Sequence, residues 1–81
     1  MKATVTVSLK SAVLDPQGKA IAAALQDLGL DLVESARVGK VIELQFAQGS
    51  DVDTVRRQVE AAADQLLANP VMEDWRVEIE A

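Results

Sequence analysis

Cysteine, histidine and tyrosine are absent from this 81-residue sequence, and Phe46 and Trp75 are its only aromatic side chains. Without cysteine there is no disulfide and no thiolate ligand, and without histidine the other usual zinc ligand is gone, so nothing staples the fold. The same two absences remove the side chains that most often perform acid–base work near neutral pH and thiol chemistry. Glycine is sparse: Gly18, Gly29, Gly39 and Gly49 stand alone, so no phosphate-binding loop is present. Long apolar runs are missing too. The longest, Ala20 to Leu25, is far too short to cross a bilayer. Met1-Lys2 leads directly into an alternating pattern instead of the apolar stretch of a signal peptide, so a soluble, cytoplasmic protein is expected.

Positive charge is also in deficit. Eight Lys and Arg stand against thirteen Asp and Glu, a net charge of −5. The basic residues are scattered, which argues against nucleic acid and against an anionic membrane as partner. What the sequence has in quantity is small aliphatic side chains. With hydrophobic residues at 49% and only two aromatics, the core must be built from Val, Leu, Ile and Ala. One domain spanning residues 1–81 is expected at this length. It buries roughly 60–65% of its unfolded surface, a marginal core for a monomer. Oligomerisation is the remaining way to bury more.

Residues 3–10 alternate strictly, with Ala3, Val5, Val7 and Leu9 on one face, which predicts a half-buried strand. Asp15-Pro16 starts a helix, because the carboxylate can cap free amides and proline suits the first helical position. Ile21, Ala24, Leu25 and Leu28 form its apolar stripe, and Gly29 ends it. Gly18 weakens the first turn, and close approach of another backbone is the preferred reason for it. From Leu32 to Phe46 the chain is β-prone, with Gly39 marking a bulge or bend. Two strand segments joined at Arg37-Val38-Gly39-Lys40 are expected, one long bent strand being the alternative.

Gln48-Gly49-Ser50 reads as a turn, and Ser50 with Asp53 as a capping box for a second helix. That helix should bury Val52, Val55, Val59, Ala62, Ala63 and Leu66 and end near Ala68, where Asn69-Pro70 stops it. Asp53 and Arg57 are spaced for mutual support. Trp75, Val77, Ile79 and Ala81 then alternate with Arg76, Glu78 and Glu80 in a last strand. The order β-α-β(β)-α-β, with one-sided strands and helices, predicts an α+β fold: an antiparallel sheet with both helices packed on one face. The other face carries Thr4, Thr6, Ser8, Glu43 and Gln45, polar and lightly charged.

Among possible chemical groups, Asp51 and Asp53 are explained by their place at a helix start. Glu73-Asp74 reads as a solvated turn and Glu78 with Glu80 as a solvent face. Gly18-Lys19 lacks the second glycine or hydroxyl of an anion site and reads as a surface lysine. Arg37 and Lys40 flank a bend in the β-prone region, where edge protection and partner contact are equally good readings.

Three segments together resemble the PurS family, the small subunit of phosphoribosylformylglycinamidine synthase. They are Val13-Leu14-Asp15-Pro16-Gln17-Gly18-Lys19-Ala20-Ile21 ahead of Leu28-Gly29, Arg37-Val38-Gly39-Lys40 with Ile42-Glu43-Leu44, and Leu67-Ala68-Asn69-Pro70-Val71 followed by Glu73-Asp74. Their order and spacing cover nearly the whole chain. Ser11-Ala12, Val41 and Trp75 depart mildly from the family pattern. The resemblance implies a homo-oligomer, dimer or tetramer, that bridges a glutaminase and an ATP-dependent synthetase. ATP, magnesium and glutamine would be used by those partners, with no cofactor, metal or catalytic residue in this chain. Residues in the shared segments are the candidates for partner contact: Asp15, Gln17, Gly18, Lys19, Arg37, Gly39, Lys40, Asn69 and Pro70. The rival is a ligand-sensing module of the ferredoxin-like, ACT type. An acylphosphatase-like enzyme fails for want of an arginine loop near the first strand.

Overall fold

The computed structural model describes residues 1–80. The alternating N-terminal segment becomes β1 (Lys2–Leu9), and it is followed by α1 (Pro16–Asp27), β2 (Gly39–Gln45), α2 (Val52–Ala62) and β3 (Glu73–Glu80). Among the described residues the sheet has three strands in the order β2-β1-β3, both pairings antiparallel. The fold is α+β, as expected. Ala81, expected to continue the last strand, lies outside the described residues.

Register carries the hydrophobic pattern across the sheet. Val5 faces Ile42 on one side and Val77 on the other, and Ala3 faces Leu44 and Ile79. One face is therefore apolar in all three strands, because side chains alternate with a period of two. The opposite face carries Thr4, Thr6, Ser8, Glu43 and Gln45. There Lys2 lies 4.0 Å from Glu43 and 3.9 Å from Glu80, exposed pairs that contribute little to stability.

α2 covers the apolar face. Val55, Val59 and Ala63 are buried against Ala3, Val5 and Val7, with Ala68 closing the same cluster. The helix ends in a single π turn, Ala63–Leu67, sealed by the Ala68 amide donating to the Ala63 carbonyl at 2.9 Å. This wider turn alters the expected stripe. Leu67 packs against the core, whereas Leu66, expected inside, is 80% exposed. The cap also differs from expectation: Asp51, not Ser50, accepts from the Thr54 amide at 3.0 Å. Arg57 reaches the Thr54 hydroxyl instead of pairing with Asp53.

The two helices are unequal partners of the sheet. α1 adds no residue to the buried cluster, and its own buried residues are Gly18 and Ala22. Its expected stripe lies open, with Leu28 77% exposed. The chain is accordingly long and flat, 50 × 25 × 14 Å, with a radius of gyration of 16.3 Å. A compact chain of this length would have about 12 Å.

The Leu32–Phe46 region forms less strand than either sequence reading required. Of this region only Gly39–Gln45 is strand, and residues 33–38 join no ladder. The reason is local: the β1–β2 register runs out at Ser8 opposite Gly39, and β1 itself ends at Leu9.

Candidate partner-contact site

Asp15 joins the start of α1 to the start of β2. Its Oδ1 accepts the Gly18 amide at 2.8 Å, the expected helix cap, while its Oδ2 accepts the Val38 amide at 2.8 Å. The carboxylate is buried, and both oxygens are satisfied by main-chain donors. Gly18 is what allows the approach. A Cβ there would collide with the Ala36 carbonyl and with the Asp15 carboxylate, so the close-packing reading of this glycine holds.

Arg37 extends the same knot. Its guanidinium donates to the carbonyls of Lys10 at 2.8 Å, Val13 at 3.2 Å and Leu9 at 3.3 Å. The β1–α1 loop is thus tied to the segment entering β2. Lys10 then reaches the third family segment: its amide donates to the Met72 carbonyl at 2.8 Å and its ammonium lies 2.7 Å from Asp74. Asn69 orders the turn after α2, its carbonyl accepting from Met72 and Glu73 and its Oδ1 from Val71. The Glu73 carboxylate closes the turn on the Asn69 amide at 2.8 Å.

Three stretches far apart in sequence therefore meet at one end of the sheet. Asp15, Gly18 and Arg37 form a single hydrogen-bonded unit with Val38 and Lys10. Asn69 and Pro70 belong to the adjoining turn. Gln17 and Lys19 lie exposed on the first turn of α1. Gly39 runs so close to the Val7 carbonyl that a Cβ would strike it. Lys40 stands opposite Val7 on the apolar side of the edge strand and is exposed. Between the loop, α1 and residues 34–37 lies an open groove of about 440 Å³, lined in part by Ser11, Asp15, Lys19, Glu34 and Arg37. The sequence reading missed Lys10, which sits at an ordinary strand end and carries no motif. It also grouped Arg37 with Lys40, although Arg37 is engaged by the chain itself.

The amides of Gly18 and Val38, with the Arg37 guanidinium adding to them, hold the Asp15 carboxyl below its ordinary value of 3.8 despite the opposing effect of burial. A depressed carboxyl stabilises the folded state above the unfolded value and loses that contribution as pH falls through the folded one. The melting temperature of the wild type should therefore exceed that of Asp15→Asn at pH 7. The gap should shrink below about pH 4. A gap that stays constant from pH 7 to pH 2.5 in thermal melts would remove Asp15 as the acid-sensitive tie.

Among the described residues no group of three or more acidic side chains is placed to hold a metal ion, and no helix is long and apolar enough to cross a membrane. The comparisons with known proteins agree with one another. The family model of PurS, phosphoribosylformylglycinamidine (FGAM) synthase, matches residues 2–81. The chain belongs to the PurS family. Its similarity to the phosphoribosylformylglycinamidine synthase subunit PurS of Synechocystis sp. is 45% identity, over 93% of this chain and 74% of that one. The structure of Bacillus subtilis PurS superposes with a TM-score of 0.83 at 42% identity, covering 99% of this chain and 98% of that one. A chain of the PurLQS structure from Thermotoga maritima gives 0.84 at 31% identity, over 95% and 93%. The fold of this PurS family member, with its three-stranded sheet and two helices, is therefore shared across almost the full length.

Proposed function

We propose that the chain is the small, non-catalytic subunit of phosphoribosylformylglycinamidine synthase in purine biosynthesis, working in the cytoplasm. In this reading it assembles with copies of itself, as a dimer or tetramer, and bridges a glutaminase to an ATP-dependent synthetase. The glutaminase releases ammonia from glutamine, and the synthetase uses it to convert formylglycinamide ribonucleotide to its amidine. The small subunit aligns the two and supports passage of the ammonia, while glutamine, ATP and magnesium are handled by the partners. The observation that carries this is the match of residues 2–81 to the PurS family, supported by likeness to a chain of the PurLQS structure. The ACT-type sensing alternative is not favoured, since the relatives and structures described above are PurS chains.

Omission from a reconstituted complex tests the reading. Without this chain, glutamine-dependent synthesis should be lost while the synthetase keeps activity with added ammonia. If glutamine-dependent turnover continued unchanged, the bridging role would be wrong.

A further inference from the structure

Arg37 and Lys40 look equivalent in the sequence but have different surroundings. Lys40 is exposed, with no ion pair or hydrogen bond of its side chain among the described residues. Arg37 donates to three main-chain carbonyls of one loop. Beside it Asp15 accepts main-chain amides from two further segments. α1 has no share in the buried cluster, so its first turn is held to the sheet by this knot and by the contact of Gly18 with Ala36, while Gln26 ties its far end to the Val33 carbonyl at 2.8 Å.

The geometry points to Arg37 and Asp15 as positioning residues that hold the 10–14 loop and the first turn of α1 in place before a partner protein binds. This rests on the adaptor reading above and adds to it the means by which the contact surface is formed. Leu14 stands at the loop's end 74% exposed, and Gln17 and Lys19 follow it on α1. None of these would keep a fixed position on a loop free to move. A surface ordered in advance loses less freedom on association, and that difference appears as affinity. The side chain at position 37 must be arginine for this purpose. Its planar guanidinium presents several donors in a fork, whereas a lysine ammonium carries the same charge as a compact point and cannot span three carbonyls.

The experiment titrates the wild type, Arg37→Gln and Arg37→Lys into a fixed mixture of glutaminase and synthetase and reads the concentration that gives half-maximal glutamine-dependent synthesis. Amide exchange is measured on each isolated protein in parallel. Both variants should raise the half-saturating concentration at least about tenfold, the scale of losing hydrogen bonds to a charged group. The plateau rate should be unchanged. The amides of Val13 and Val38 should exchange faster, while those of β1 and α2 keep wild-type protection. Wild-type titration by Arg37→Lys, with Arg37→Gln alone impaired, would make Arg37 a charge contact and overturn the positioning role. Wild-type titration by both variants would overturn it too. Should the wild type itself fail to restore synthesis, the adaptor reading falls. The exchange data then stand alone, and unchanged protection in Arg37→Lys sinks the knot.

Discussion

Sedimentation equilibrium of the purified chain at micromolar concentration is expected to give a dimer or larger, not an 8.7 kDa species. The argument starts from the buried cluster, which within one chain is made of Ala3, Val5, Val7, Val55, Val59, Ala63 and Ala68, all small side chains. Leu14, Leu28, Leu32, Leu66 and Val71 are each at least 74% exposed. Covering a leucine side chain contributes about 1.5–3 kcal/mol, and in a two-fold assembly every contact occurs twice. Three such residues covered per chain reach on the order of 10 kcal/mol, a scale comparable with the freedom lost on association. The open α1 stripe and the 50 Å length point the same way. A monomer that persists at micromolar concentration would count heavily against self-assembly.

Gly18→Ala should be destabilising although helix propensity alone favours it. Alanine gains about 1 kcal/mol over glycine inside a helix. At this position the added methyl meets the Ala36 carbonyl and the capping carboxylate of Asp15. A backbone carbonyl cannot swing aside as a side chain can, so α1 must move off residues 36–38 or the cap must break. Overpacking of this kind costs about 1–3 kcal/mol, and the lost cap adds to it. The net loss of about 2 kcal/mol corresponds to a fall in melting temperature of roughly 10 °C for a domain of this size. Ala20→Gly, at an exposed position of the same helix, isolates the propensity effect and should cost about 1 kcal/mol. A Gly18→Ala protein that melts at or above the wild-type temperature would show that the contact with Ala36 can relax.

Periodicity made most of the sheet legible. Alternation located β1 and β3 and assigned their sides; it also placed Ile42 and Leu44 on the apolar face, but it overran β2, which begins only at Gly39. Asp15-Pro16 and Gly29 bounded α1, and Gly29 takes the left-handed conformation, φ 102°, that favours glycine. Two things were not legible. Apolar spacing marks a stripe without telling what covers it, so the stripe of α1 looked like core although it lies open in the chain. Hydrogen bonds between side chains and distant main chain leave no periodic trace either. The ties of Arg37 to the carbonyls of residues 9, 10 and 13, and of Asp15 to the Val38 amide, could not be read from spacing.

The π turn that ends α2 bears on how this chain should be aligned with its relatives. A ring closed from residue i to residue i+5 holds one residue more than the α-helical ring it replaces. A relative whose second helix stays α-helical to its end would be one residue shorter between the positions of Ala63 and Ala68. Its gap belongs inside that window, and a gap placed at the Asn69-Pro70 turn would misassign Leu66 and Leu67. In such a relative the leucine before the missing residue would face the sheet. Which position after Ala63 faces the sheet is thus set by a single inserted residue.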